Sequence, residues 1–262
     1  MSVLEESVGL FLRGLPFFTG LPEEDVAAFL KAGAVKDYAK NQTIFLQGDA
    51  ADRLFIIMDG CVKRHRNTTE GEEAVVALFT RGDIFGDAVV FGGGAGYPFS
   101  AHSVDETRLI EIPAALLRER AQANPAIMSR VMKSMSREIH KLQLEHEHMA
   151  IMSAPQRVGC LLLQLSDGMI GKGGTFSFPY DKSLAAARLG MKPETFSRAL
   201  SQLKPAGVSV KGREIHIESF HALAEYCCGS CSADLDGCKG ANSLKECGKG
   251  KCSGKKAKTD EA

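Results

Sequence analysis

Three polar residues with helical spacing, Glu194, Ser197 and Arg198, could make hydrogen bonds to the edges of DNA bases. Residues at i, i+3 and i+4 lie on one face of a helix. Arginine pairs with guanine through two hydrogen bonds, glutamate accepts from the cytosine amino group, and serine contacts a base or a phosphate. Phosphate oxygens could be held by three neighbouring residues, Lys192, Thr195 and Lys211. A solvent-exposed amphipathic helix shows the same face, so the surrounding elements must decide.

Those elements have the pattern of a winged helix-turn-helix. Residues 182–189 form a short helical pattern that ends at Gly190, and a second one begins at Pro193 and runs to about residue 204. Two short helices joined by a tight turn with a glycine are typical of a helix-turn-helix. Residues 208–217 follow as a hairpin with a basic turn. This order predicts a DNA-binding domain over 153–226, with a helix that starts after Ser153 as its first element.

Cysteine forms the second chemical cluster. Six cysteines crowd the last 36 residues: Cys227, Cys228, Cys231, Cys238, Cys247 and Cys252. Without an export signal, such a cluster favours metal binding or thiol redox chemistry over a disulfide framework. Four thiolates could hold zinc or an iron–sulfur cluster, although we can assign the spacings of 7, 9 and 5 after Cys231 to no particular ligand set. The segment 227–262 has few apolar residues and is predicted to be flexible unless ligated. Metal binding, redox chemistry and an extension without function stay open.

The N-terminal part is expected to be a sensor domain over 1–123. Residues 1–35 are predicted to be helical, and short strands separated by glycine turns follow from Asp37 to Pro113. The clearest strands are 43–46, 54–58, 74–79 and 108–112. Strands with this even spacing favour a β-roll or jelly roll. The predicted fold class is therefore α+β.

A long helix over 124–152 is predicted to form a dimer. Asn124 suits the N-cap and Pro125 the first helical turn. Residues at alternating intervals of four and three form a stripe, here called the heptad stripe: Met128, Met132, Met135, Ile139, Leu142, His146 and Met149. The opposite side carries charged residues such as Lys133 and Arg137. The alternative is a core helix of a single domain, which usually has a wider apolar face.

Composition excludes several classes of protein. The 32 basic and 32 acidic residues cancel, so any nucleic-acid surface must be a local basic face. The apolar runs are too short to cross a membrane, and the N-terminus has acids where a secretory signal has basic residues. A cytoplasmic location without membrane contact is expected. No nucleophile–base set, Walker loop or dinucleotide fingerprint is present, so an enzyme is not expected.

Residues 15–226 resemble the CRP/FNR superfamily of bacterial transcription regulators in the order of their parts. The stretch 184–198 is similar to the family's DNA-binding motif, and its Glu-x-x-Ser-Arg set is similar to the FNR-like branch, which includes nitric-oxide-responsive regulators of denitrification. The resemblance implies a homodimer on a palindrome of TTGAT-type half-sites, contacted by Glu194, Ser197 and Arg198, with RNA polymerase as a candidate partner. Lys192 departs from the Ser or Thr that relatives often have as N-cap, which weakens the helix start by roughly 1 kcal/mol.

The resemblance also gives a candidate effector pocket. In cyclic-AMP-binding relatives a short helix after a Gly-Glu pair presents backbone N–H groups, and an Arg-Ser pair completes the phosphate site. The matching residues here are Gly86, Asp87, Phe99 and Ser100. Phe99 stands where the arginine would be, which removes a charge-assisted contact to the phosphate. This departure argues against cyclic AMP, although a cyclic-nucleotide-responsive regulator is kept as an alternative.

Other effectors stay open. FNR-type sensors hold an iron–sulfur cluster with N-terminal cysteines, but no cysteine precedes Cys61 here. Haem is a further candidate cofactor, with the potential ligands His65, His102, His140, His146 and Cys61, each of which alone is more commonly an ordinary residue. Two other classes of function remain as alternatives: a cyclic-nucleotide regulatory module as in kinase subunits, and a metal-handling protein that uses the cysteine tail. We expect an effector to change the packing of the dimer helix, with either sign of regulation.

Overall fold

A computed structural model describes residues 3–67, 73–86, 90–91, 96–166, 173–178 and 181–228. The chain divides into two compact units, and the division falls between His140 and Lys141, within one long helix. Among the described residues, no helix combines the length and the apolar character that a membrane span requires.

The first unit is a β-roll with helices at both ends of its sequence. The helices are α1 (Val3–Gly14), α2 (Glu23–Ala32), α3 (Ala114–Ala123) and the start of α4 (Pro125–Ile151). The strands are β1 (Ala34–Tyr38), β2 (Thr43–Phe45), β3 (Arg53–Asp59), β4 (Cys61–Asn67), β5 (Glu73–Thr80), β6 (Ile84–Phe85), β7 (Ser100–Ser103) and β8 (Thr107–Pro113). They form two four-stranded antiparallel sheets, in the orders β1-β8-β3-β6 and β2-β7-β4-β5.

Aromatic rings fill the interior of the roll. The rings of Phe45 and Tyr97 stack with centroids 3.8 Å apart, and Phe85 stacks on both Phe55 and Phe79 at 5.0 Å. A second apolar cluster packs the helices against the roll and includes residues from α1, α2, β3 and α4. Burial of large aromatic side chains is a principal source of stability, and stacked pairs add to it. The β-roll predicted from the glycine-punctuated strands is confirmed.

The sequence pattern missed half of the strands. The four predicted strands are present as β2, β3, β5 and β8, whereas β1, β4, β6, β7 and helix α3 were not predicted. Strand β4 illustrates the reason, because its sequence Cys-Val-Lys-Arg-His-Arg-Asn is mostly basic. Its buried positions include His65, which forms a hydrogen bond with His102.

Helix α4 begins as predicted and has a divided apolar surface. The Asn124 side chain caps it, since its Oδ1 accepts the backbone N–H of Ala126 at 2.9 Å. Two residues of the heptad stripe, Met128 and Met135, pack against the core of the first unit. Four others are exposed large apolar side chains: Met132, Ile139, Leu142 and Met149. The stripe is thus partly used within the chain and partly available to another surface.

The second unit is a small helical domain with one antiparallel sheet. Its helices are α5 (Ala154–Leu165), α6 (Lys182–Arg188), α7 (Pro193–Gln202) and α8 (Phe220–Cys228), with a 3₁₀ turn at Lys204–Ala206. The strands β9 (Gly174–Ser177), β10 (Val208–Lys211) and β11 (Glu214–Ile217) form a sheet in the order β10-β11-β9. Ser153 caps α5 through a capping box with Gln156, as the sequence predicts. Helix α8 was not predicted.

Candidate nucleic-acid interface

The turn between α6 and α7 is fixed by its hydrogen bonds. Asp181 caps α6, since Oδ1 accepts the backbone N–H of Leu184 at 2.7 Å. At the other end, Gly190 has a positive φ of 61°. The N–H groups of Gly190 and Met191 bond to the carbonyls of Ala187 and Ala186, the pair of bonds that defines a Schellman motif. The glycine therefore ends α6 and redirects the chain into α7.

Helix α7 presents the predicted base-contacting residues to solvent. Glu194, Ser197 and Arg198 are all exposed, and their positions on a helix span an arc of about 100°. The opposite face is buried through Phe196, Ala199 and Leu200. A polar face on the first two turns of a helix, carried on a buried apolar face, is the arrangement that lets a recognition helix enter the major groove.

Two contacts hold α7 and the preceding turn on the domain. The centroids of the Phe178 and Phe196 rings lie 6.2 Å apart, which joins the residue that follows β9 to α7. Arg157 of α5 donates from Nη1 to the carbonyl of Leu189 at 3.0 Å. Because Leu189 directly precedes the glycine of the turn, the second contact fixes the point from which α7 departs.

The predicted phosphate-binding residues lie at the N-terminal end of α7 and on the wing, which is the hairpin of β10 and β11. Lys192 occupies the N-cap position of α7 without a side-chain capping bond, and it is exposed. Thr195 is half-buried. Lys211 ends β10, opposite Glu214 in the hairpin, and is exposed next to Gly212, which has a φ of 65°. Lysine ammonium groups at these places can bind phosphate oxygens as point charges.

The predicted effector residues are only partly described. Asp87 lies outside the described residues. Gly86 directly follows β6 and has a φ of 87°, and a Cβ there would lie 3.1 Å from the Arg53 carbonyl oxygen. The Ser100 Oγ is already engaged, because it accepts the Gln47 backbone N–H at 3.0 Å.

Arg64 lies beside the aromatic ring that replaces the expected arginine. Its guanidinium carbon lies 5.0 Å from the centroid of the Phe99 ring and 5.2 Å from that of Phe79. Cation–π contacts of this length are attractive. The sequence reasoning missed this residue, because Arg64 is separated from Phe99 by 35 positions and β4 was not predicted. A positive charge is therefore present next to Phe99, and it is supplied by Arg64 of β4.

Two candidate haem ligands are hydrogen-bonded to each other. His65 Nε2 and His102 Nδ1 are 2.8 Å apart, and His102 Nε2 is 2.9 Å from Thr43 Oγ1. His65 Nδ1 lies 3.5 Å from a Glu73 carboxylate oxygen, and that carboxylate also binds Lys63. Burial lowers the pKa of both imidazoles. Three of the four ring nitrogens are thus engaged in hydrogen bonds, whereas the buried His65 Nδ1 has no hydrogen-bond partner among the described residues.

The other candidate ligands are dispersed. His140 and His146 lie on α4, where His146 is exposed, and Cys61 is buried at the start of β4. Within the described ranges, no group of three or more histidine, cysteine or acidic side chains could hold a metal ion.

The cysteine cluster does not begin where the sequence suggested. Cys227 belongs to α8 and is fully buried. A Cβ on Gly159 would lie only 2.2 Å from its Sγ, so α5 and α8 pack closely at this point. Cys227 thus has a packing role, and metal binding through its thiolate would require the end of α8 to unpack. Cys228 ends α8, and the predicted ligands Cys231, Cys238, Cys247 and Cys252 lie outside the described residues.

A buried carboxylate in the sensor was also missed by the sequence analysis. Glu111 of β8 accepts hydrogen bonds from the Tyr38 hydroxyl and the Arg53 guanidinium, and Lys36 lies 3.5 Å away. Burial alone would raise the pKa of Glu111, but these hydrogen bonds and charges outweigh it and lower the pKa. The network ties β1 and β3 to β8, so its role is structural.

Comparison with known proteins agrees with this architecture. Residues 35–124 match the family of the cyclic nucleotide-binding domain, and residues 156–226 match the Crp-like helix-turn-helix domain. The fumarate and nitrate reduction regulatory protein of Escherichia coli is 30% identical over 198 residues, which cover 72% of this chain and 77% of that protein. A CRP-like cAMP-activated global transcriptional regulator of Mycobacterium tuberculosis is 26% identical over 79% of this chain and 94% of that protein.

A solved structure extends the similarity to most of the chain. A Ruegeria pomeroyi protein described as cyclic nucleotide binding is 36% identical, with a TM-score of 0.63, and the match covers 85% of this chain and 98% of that one. The two domain matches lie in the expected order on the two units described above. The chain therefore belongs to the CRP/FNR family of DNA-binding transcription regulators, with an N-terminal sensor domain and a C-terminal helix-turn-helix.

Proposed function

We propose that this chain is a cytoplasmic, homodimeric regulator that binds a palindrome of TTGAT-type half-sites through Glu194, Ser197 and Arg198. The observation that carries the proposal is the exposure of these three side chains on one face of α7, whose other face is buried. Arginine and glutamate on such a face can distinguish G·C pairs by their hydrogen-bonding groups in the major groove. The same Glu-x-x-Ser-Arg set is similar to the FNR-like branch of the family.

Dimerisation is supported by the exposed half of the heptad stripe. Ile139 and Leu142 are 57% and 51% exposed although both are large apolar residues on an ordered helix. Regulators of this family typically act as dimers, and a contiguous apolar stripe is a common mark of an interface. In a dimer the two α7 helices would contact major grooves about 34 Å apart, one turn of DNA. RNA polymerase would then be a further partner of the DNA-bound dimer.

A cyclic-nucleotide-responsive regulator is a second candidate. It is favoured by the position of Arg64, whose guanidinium lies against Phe99 at the place where the family's phosphate-binding arginine is expected. Titration of the full chain with cyclic AMP in a calorimeter separates the two candidates. Saturable binding that is lost in Arg64→Gln supports the second candidate. If cyclic AMP produces no heat of binding, the second candidate is contradicted.

The DNA-binding proposal is tested by selection. The purified full chain is mixed with a library of random duplexes, and the retained DNA is sequenced after several rounds. We expect enrichment of two TTGAT-type half-sites related by a two-fold axis. Retention without any enriched motif would contradict sequence-specific binding, and enrichment of a single half-site would contradict the dimer.

A further inference from the structure

The second unit contains an apolar cavity of about 240 Å³ between helix α5, helix α7 and the wing. Its walls come from three different elements, through Leu162, Phe196, Leu200 and Ile215, and each of these side chains is buried. The base-contacting residues Glu194, Ser197 and Arg198 do not line the cavity, which lies against the buried face of α7.

The size of the cavity suits one small ring compound. An apolar cavity of about 150 Å³ in a protein interior accommodates benzene, so the larger volume here has room for a second ring or a short side chain. Apolar walls of this kind are the usual lining of a small-molecule site, which adds a few polar groups to orient the ligand.

The polar groups at the rim are mostly cationic. Lys182 at the start of α6 and Arg213 in the turn of the wing both line the cavity and are exposed. Asp181 also lines the cavity, and its carboxylate accepts the N–H of Leu184 at 2.7 Å. Neither Lys182 nor Arg213 forms an ion pair with another described residue. Two cations and one carboxylate give the mouth a net positive charge, which is complementary to an apolar anion.

We propose that this cavity binds a small aromatic carboxylic acid, with the rings against Phe196 and Leu200 and the carboxylate between Lys182 and Arg213. Binding of this ligand does not depend on whether DNA is bound. Its consequence for regulation rests on the proposed function: the ligand would neutralise cations near the phosphate backbone and fix the distance between α7 and the wing, and so weaken DNA binding.

The binding step is tested without DNA. The full chain has no tryptophan, so the fluorescence of the probe 2-naphthoate can be followed directly during titration. We expect saturable binding of one probe per chain. The neutral analogue 2-naphthamide should bind about tenfold more weakly, because it cannot form charge-assisted contacts with the rim.

Variants show where the probe binds. Lys182→Gln combined with Arg213→Gln should weaken 2-naphthoate about tenfold and leave 2-naphthamide unchanged. The matched control, Lys133→Gln combined with Lys204→Gln, removes the same charge at exposed positions that do not line the cavity, and it should bind as the unmodified chain does. Leu162→Phe, checked for folding by circular dichroism, should fill the cavity and abolish binding of both compounds.

Absence of saturable binding, or equal affinity in the rim variant and its control, would overturn the site. If 2-naphthoate binds as expected but DNA retention is the same with and without it, the regulatory consequence is overturned. Failure of the chain to bind DNA under any condition would instead contradict the proposed function, and the titration of the probe would be unaffected.

Discussion

Arg157 donates a hydrogen bond from Nη1 to the backbone carbonyl of Leu189, over 3.0 Å. The carbonyl belongs to the last turn of α6, where helix geometry leaves such oxygens without a partner and a cation is favourable. The contact therefore joins α5 to the turn of the helix-turn-helix. Arg157 thereby helps to fix the position from which α7 departs.

We expect Arg157→Met to lower the free energy of unfolding of the second unit by about 1–3 kcal/mol, because it leaves a partly buried carbonyl without its donor. Urea denaturation of the full chain measures this. Arg137→Met, at an exposed position of α4, is the control and should change stability by less than about 0.5 kcal/mol. Equal effects of the two substitutions would mean that the Arg157 contact contributes nothing specific.

The hydrogen-bonded pair His65 and His102 makes the stability of the sensor depend on pH. Burial lowers the pKa of both rings below the ordinary value of 6.5. As pH falls through 6.5, the unfolded chain takes up protons that the folded chain does not, so folding stability must decrease. Above that range both rings are neutral in the folded and in the unfolded chain, so their protonation no longer lowers the folding stability.

Thermal unfolding between pH 8 and pH 5 checks this dependence. His65→Gln combined with His102→Gln removes both titrating groups and keeps polar side chains at these positions. The unmodified chain should lose stability more steeply than the double variant as the pH is lowered. An identical slope for the two proteins would show that the pair does not couple folding to protonation.

The exposed residues of the heptad stripe predict that the chain forms a dimer. Ile139→Glu combined with Leu142→Glu should convert dimers into monomers, because burying two carboxylates in an apolar interface costs several kcal/mol. Light scattering gives the mass directly. Substitution of Met135 is unsuitable for this purpose, since Met135 also packs against the core of its own unit.

The control for the dimer experiment lies on the other side of α4. Lys133→Glu combined with Arg137→Glu changes two exposed positions and should leave the mass unchanged. A dimer that persists in the Ile139 and Leu142 double variant would exclude this stripe as the interface.

Elements with regular local patterns could be predicted from the sequence. The recognition helix, its glycine turn and the wing depend on signals within a few residues: Pro193 at the helix start, Gly190 after the preceding helix, and a glycine in a basic hairpin turn. The Asn124 and Ser153 caps are equally local. Short-range rules such as capping and helical spacing suffice for these elements.

The parts that could not be predicted depend on contacts between distant residues. His65 is a buried polar residue whose hydrogen-bond partner His102 lies 37 positions away, so no hydrophobic pattern marked β4. Cys227 seemed part of a polar tail because its neighbours are cysteine and glycine, but the close approach of Gly159 makes it a core residue. In each case tertiary packing, rather than local sequence, decides burial.

The most direct test of the DNA-binding account compares two single substitutions. Affinity of the full chain for a TTGAT palindrome and for a random duplex is measured by fluorescence anisotropy over a salt series. Arg198→Ala should cost about 1–3 kcal/mol on the palindrome alone, since it removes a base contact. Lys211→Ala should weaken both duplexes alike and reduce the salt slope by about 1. An Arg198→Ala protein that still discriminates the palindrome from random DNA as well as the unmodified chain would contradict the account.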